Sequence, residues 1–207
     1  MITPQKDIYK TIKQRSTGSF YDRKSRFIGI ADNVNSETEI KEIISAIKKE
    51  YHDAVHHCYA WELFDGTSKH RFSDDGEPSG SAGIQIYNQL FYKNLSNILI
   101  VVVRYYGGIK LGVPGLINAY RMAAIEALNN SEIVEKYIET TINAEFSYTM
   151  IAEISKYEKS YNLRRISENY TDNNCSMKWS ARASSVEIFA EKISQLNGVR
   201  IIKGENS

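Results

Sequence analysis

Six consecutive apolar residues at 98–103 (ILIVVV) place the tightest constraint on what this chain can fold into. A run with no polar residue at alternate positions belongs in a strand covered on both faces, so helices must lie on either side of its sheet. The sequence supplies them. Ser36 and Glu39 form a capping box, and Ile40, Ile43, Ile44 and Ile47 follow on one face, which predicts a helix over 36–51. The stretch 116–128 (LINAYRMAAIEAL) predicts a long alanine-rich helix. Strands are expected at 26–34 and 57–64, the latter feeding a hairpin through Asp65-Gly66. The segment 71–83 (RFSDDGEPSGSAG) breaks all periodicity and reads as a loop; a helix then starts near Ser79 or Ser81.

Beyond residue 137 the pattern resets. A strand-like ETTINAEFSY, a helix-like IAEISKYEKSY, strands around LRRISENY and CSMKWSA, a helix opened by a Ser184/Glu187 capping box, and a closing VRIIK give the order βαββαβ. That is a ferredoxin-like arrangement. A chain of 207 residues holds two small α+β domains, assigned here to 1–136 and 137–207.

Composition narrows the function classes. Hydrophobic residues make up 42% and charged residues 25%, a globular balance rather than a disordered one. No stretch approaches the roughly 18 apolar residues of a membrane span, and the charged start lacks the apolar region of a signal peptide. Cys58 and Cys175 are far apart with no CxxC spacing, which argues against a disulfide framework or zinc knuckle and points to the reducing cytoplasm. Net charge is only +1. Its distribution is uneven: residues 1–26 carry Lys6, Lys10, Lys13, Arg15, Arg23, Lys24 and Arg26 against Asp7 and Asp22, a basic arm that is either a binding element or a solvated end.

Three constellations can carry chemistry. In the first, Asp74, Asp75 and Glu77 precede the small residues Ser79, Gly80, Ser81, Ala82 and Gly83. EF-hand spacing is absent. Backbone amides at 79–83 either stand free at a helix N-terminus, where they suit phosphate, or are satisfied by Asp74 and Asp75 in a tight turn. The second, 104–115 (RYYGGIKLGVPG), leaves the apolar strand with glycines at 107, 108 and 112 between Arg104 and Lys110, a backbone able to approach an anion closely. It matches neither nucleotide-binding fingerprint. Tyr105 and Tyr106 would stack on bases or pack at a strand end. The third is His56-His57-Cys58. Adjacent strand residues point to opposite faces, which works against both a zinc site and a Cys–His nucleophile pair, so Cys58 reads as a buried hydrophobe and one histidine as a donor into the Asp74/Asp75 loop.

The runs KSRFIG (24–29), AVHHCYAW (54–61), SDDGEPSGSAG (73–83) and VVVRYYGGIKLGVPGLINAY (101–120), in that order, resemble the YigZ/IMPACT family over most of residues 20–130. The resemblance implies a left-handed βαβ first domain like the second domain of a small-subunit ribosomal protein. It also implies a ferredoxin-like module similar to a C-terminal domain of elongation factor G. The eukaryotic branch regulates translation, which implies a nucleic-acid or ribosome role. The chain departs from the family pattern at Pro114, Asn118 and His57, which stand where glycine, arginine and asparagine are usual; the missing arginine weakens an anion site.

The expectation is therefore a translation-associated protein that binds RNA or a ribosome-associated factor without catalysis. The expected surface is Lys24, Arg26, Arg104, Tyr105, Lys110, the backbone of Gly107, Gly108 and Gly112, and the 79–81 turn. Alternatives are a hydrolase using the polar cluster His56, His57, Asp74, Asp75 and Glu77, and a protein-interaction adaptor acting through 137–207. No catalytic residue, metal ligand or cofactor is assigned, no membrane partner is expected, and the oligomeric state stays open.

Overall fold

In the computed structural model of the chain, which describes residues 7–202, the apolar run lies at the centre of a five-stranded antiparallel sheet. The elements in chain order are β1 (Ile8–Ile12), β2 (Ser16–Asp22), β3 (Ser25–Asn33), α1 (Glu37–Glu50), β4 (His56–Phe64), β5 (Ser68–Ser73), α2 (Gly83–Lys93), β6 (Ile98–Tyr105), α3 (Gly112–Asn129) and β7 (Ile133–Tyr137). They continue with β8 (Glu139–Ser147), α4 (Ile151–Ser160), β9 (Arg164–Tyr170), β10 (Asn174–Arg182), α5 (Ala183–Ser194) and β11 (Arg200–Ile202).

The chain divides into two compact units, one spanning Tyr9–Lys136 and the other running from Tyr137 and including Asp7 and Ile8. In the first unit the strand order is β2-β3-β6-β4-β5. Strands β3 and β4 both pair antiparallel with β6, so they run parallel to each other with α1 as the crossover. Period-two alternation splits β6 between two cores. Ile98, Ile100 and Val102 pack with α2 and α3, while Leu99, Val101 and Val103 pack with Ile40 and Ile47 of α1. Helix α1 starts as expected: the Ser36 hydroxyl accepts from the Glu39 amide and the Glu39 carboxylate from the Asn35 amide. Helix α3 lies close on the sheet because its inner stripe is Ala119, Ala123 and Ala127 and because position 29 beneath it is glycine, where a Cβ would overlap the Ala123 carbonyl.

In the second unit the strand order β11-β8-β10-β9, with β8 and β9 both antiparallel to β10, is the ferredoxin-like pattern. Its core gathers Phe146, Met177, Trp179 and Phe189.

Four expectations need correction. The basic arm is not a free end: Ile8–Ile12 and Ser16–Asp22 are strands, and Ser16, Gly18 and Phe20 turn inward at alternate positions; Lys6 lies outside the described residues. Strand β5 absorbs Arg71 to Ser73 from the expected loop. Asp7 and Ile8 belong to the second unit, not the first. Finally, Ser184 does not cap α5 but sits inside its first turn, and its amide donates to the buried Asp7 carboxylate (2.9 Å). That carboxylate also takes Arg182 Nε (2.8 Å) and Nη2 (2.7 Å). Lys203 of the closing VRIIK lies outside the described residues.

Candidate functional site

The acidic loop after β5 is built by its own carboxylates. Asp74 accepts from the amides of Gly80 (2.9 Å), Ala82 (3.0 Å) and Gly83 (2.8 Å). Helix α2 has no side-chain cap at its N-cap residue, so Asp74 supplies one from nine positions upstream, with its charge against the positive helix end. Asp75 reaches the other way: one oxygen accepts from the His57 amide (2.7 Å), the other pairs with Lys48 (2.9 Å). Glu77, buried, accepts from both Arg104 Nη1 (2.5 Å) and the Tyr120 hydroxyl (2.7 Å). His56 Nδ1 donates to the Asp75 carbonyl (2.8 Å) and Cys58 Sγ to the Asp74 carbonyl (2.9 Å). The loop is thereby clamped to β4, β6 and α3.

This settles the two readings of the 79–83 turn in favour of the satisfied one. The amides of Gly80, Ala82 and Gly83 are occupied by Asp74, and Ser81 is buried with both its amide and its hydroxyl bonded to the Pro78 carbonyl; only Ser79 stays exposed. Arg104 is likewise no surface cation. It lies on the helix-covered face of β6 with its guanidinium 5.5 Å from the rings of both Phe27 and Tyr106, and Glu77 neutralises it. Lys110 points to solvent, so the two cations do not converge.

The polar cluster does assemble, but its members are spent on one another. His56 and His57 take opposite faces, as alternation requires; His57 Nε2 donates to the Tyr51 carbonyl (3.0 Å). Burial pushes the Cys58 thiol up to about 12, and burial followed by the Cys58 contact raises the Tyr120 hydroxyl as well. Neither supplies an anion near neutral pH, which removes the thiolate a nucleophile needs. Among the described residues no three His, Cys, Asp or Glu side chains converge as a metal site.

What remains open to solvent is an apex formed by two loops. Arg23 and Lys24 make the β2–β3 turn with φ of 43° and 67°, the paired left-handed geometry of a two-residue hairpin. The β6–α3 loop lies directly against it. The Gly107 amide donates to the Ser25 hydroxyl (3.1 Å), a Cβ at 107 would overlap the Lys24 backbone, and Arg23 Nη1 donates to the Lys110 carbonyl (3.4 Å). Just past this loop, α3 begins at Gly112 with no side-chain cap and no acid in its first turn. Arg23, Lys24, Arg26 and Lys110 are all exposed, and none forms a salt bridge among the described residues. Tyr106, Ile109 and Val113 project beside them. Gly108 is exposed on the same loop, and Tyr105 is half-buried with its hydroxyl on Asp53 (2.8 Å). Arg23 was absent from the expected site; the Asp22–Ser25 hairpin turn was the signal that would have included it.

These features define a two-unit α+β protein whose first unit presents a basic hairpin apex beside an uncapped helix. Residues 23–128, which contain both loops of the apex, match the Impact N-terminal domain, and the chain belongs to the IMPACT family. It is 35% identical to the IMPACT family member YvyE of Bacillus subtilis over 167 residues, covering 80% of this chain and 76% of that protein. It is 38% identical to the family member YigZ of Escherichia coli over 128 residues, 60% of this chain and 63% of that one. A crystal structure of a hypothetical protein superposes with a TM-score of 0.73 at 28% identity, over 97% of this chain and 99% of the other.

Proposed function

We propose that the protein acts in translation by binding RNA through the apex of its first unit. The observation that carries this reading is the packing of the Arg23-Lys24 turn onto the 107–112 loop, which brings Arg23, Lys24, Arg26 and Lys110 to one end of the sheet without a carboxylate partner among the described residues. Phosphate is the anion such a surface suits: point charges from lysine, planar donors from arginine, and an α3 N-terminus with no side-chain cap and no acid in its first turn. Family membership supports the setting, because the resemblance to the YigZ/IMPACT family implies a translational role.

Four phosphate contacts predict that log affinity for single-stranded RNA falls against log salt with a slope of about −3. Lys24→Glu with Lys110→Glu reverses two of those charges without touching a buried group, so RNA binding and ribosome co-sedimentation should both fall sharply and the slope should flatten. An unchanged affinity, or binding indifferent to salt, overturns the proposal.

A further inference from the structure

The face of the sheet opposite α3 is only partly covered. Helix α1 packs over β3, β6 and β4, and β2 contributes nothing to that core. Between the edge strand β2 and the end of α1 an open groove of about 440 Å³ remains. That volume falls within the roughly 300–1,000 Å³ of small-molecule sites. Register places Thr17, Ser19, Arg26, Ile28 and Tyr105 of its lining on one face, with Ser19 paired to Ile28 and Arg26 to Tyr105; Tyr21, opposite Arg26, stands on the same face next to the groove without lining it. Tyr51, whose carbonyl is pinned by the Ala54 amide (3.0 Å) and by His57 Nε2 (3.0 Å), also lines it.

Part of the groove's chemistry is unspent. Arg26 has no ion-pair partner among the described residues; its guanidinium lies 5.8 Å from the exposed ring of Tyr21. The hydroxyls of Thr17 and Ser19 make no hydrogen bond among the described residues. Asn130 donates its amide hydrogen to the Thr17 carbonyl (2.8 Å), leaving its own oxygen as an acceptor toward the groove. Two carboxylates meet the lining tyrosines: Asp53 accepts from the Tyr105 hydroxyl, and Glu50 lies beside the Tyr51 hydroxyl. Tyrosine rings, one uncompensated guanidinium and free hydroxyls on an open sheet face are the elements of a stacking platform for bases.

We propose that this groove is a single-strand site, in which an unpaired nucleotide of the bound RNA lays its base against the tyrosines and its phosphate on Arg26. The inference rests on the apex reading above and extends it. The Arg23-Lys24 turn lies two to three residues from Arg26 along the same hairpin, so a strand tracked by the apex cations runs directly into the groove. A duplex cannot use it, because its bases are already stacked and paired.

The test is fluorescence anisotropy with two probes, a labelled oligouridine of about ten nucleotides and an RNA hairpin stem of similar length. Tyr21→Leu and Arg26→Gln alter exposed residues, and circular dichroism confirms that both variants fold. Tyr21→Leu should weaken oligouridine binding roughly tenfold while changing stem binding less than about twofold, and Arg26→Gln, which also removes one apex cation, should weaken both probes but oligouridine several-fold more. Lys24→Glu with Lys110→Glu should weaken both probes alike. If Tyr21→Leu and Arg26→Gln affect both probes equally, or neither, the groove is not a single-strand site while the apex reading stands. If the lysine variant is also silent, or the native protein binds neither probe, both readings fall.

Discussion

Removing the Asp74 carboxylate tests whether the loop at 73–83 is held by its own charge. The Asp74→Ala substitution orphans three amides, two of which, at Ala82 and Gly83, are fully enclosed. A buried donor left without a partner costs about 1–3 kcal/mol, and losing a helix cap about 0.5–2 kcal/mol. The enclosed pair and the cap together make a loss of about 3–5 kcal/mol reasonable for the first unit, a large part of the roughly 5–15 kcal/mol that stabilises a domain. Asp74→Asn keeps the oxygen shared by Ala82 and Gly83 and loses mainly the Gly80 contact and the charge, so its cost should be about 1 kcal/mol.

Hydrogen exchange of peptides covering 74–93, followed through a urea titration, reads this unit separately from the other. Sulfate supplies a second arm. The amides vacated in Asp74→Ala form an anion receptor at the positive end of α2, so tens of millimolar sulfate should restore part of the lost protection in the variant and leave the native chain unchanged. A variant that loses less than about 1 kcal/mol and shows no sulfate rescue would refute the reasoning, because the amides would then be satisfied without Asp74.

Two further outcomes follow from the packing. The Arg182 guanidinium holds the buried Asp7 carboxyl far below the usual carboxylate range; this depressed value means its stabilisation is complete above the unfolded value near ~4 and disappears as pH falls toward the folded one. Asp7→Asn should therefore flatten the acid limb of the second unit's unfolding curve, measured by near-ultraviolet circular dichroism between pH 5 and pH 2, and an unchanged limb would disprove the assignment. Gly29→Ala should lower the first unit's stability by about 2–4 kcal/mol, since the new Cβ meets the Ala123 carbonyl on a rigid helix; a urea midpoint close to native would show that α3 shifts at little cost.

What could be read in advance, and what could not, divides along sequence separation. The run at 98–103 announced a strand covered on both sides, and Ser36 with Glu39 announced α1, because each signal sits in adjacent or near-adjacent residues. Strand β2 was missed because its inward positions are Ser16, Gly18 and a half-buried Phe20, too small or too polar to register as an apolar alternation. The cap of α5 was missed for a different reason: Asp7 lies 177 positions from the helix residue it caps, and the chain does not show which distant carboxylate lands there.

The candidate site follows the same rule. A small-residue turn before a helix is a receptor for negative charge in either case, and the local sequence cannot say whether that charge belongs to a ligand or to the chain. At α2 it belongs to Asp74. Arg104 was misread on the same footing, since its partner Glu77 is 27 positions upstream on the loop that Asp74 folds back. At α3 the corresponding end has no acid in its first turn, and the neighbouring cations form no salt bridge among the described residues. The two helices therefore begin with the same need and meet it differently: one is closed from within by Asp74, and the other has no side-chain cap among the described residues. On the function proposed above, this difference puts the binding surface at the hairpin apex and not at the acidic loop.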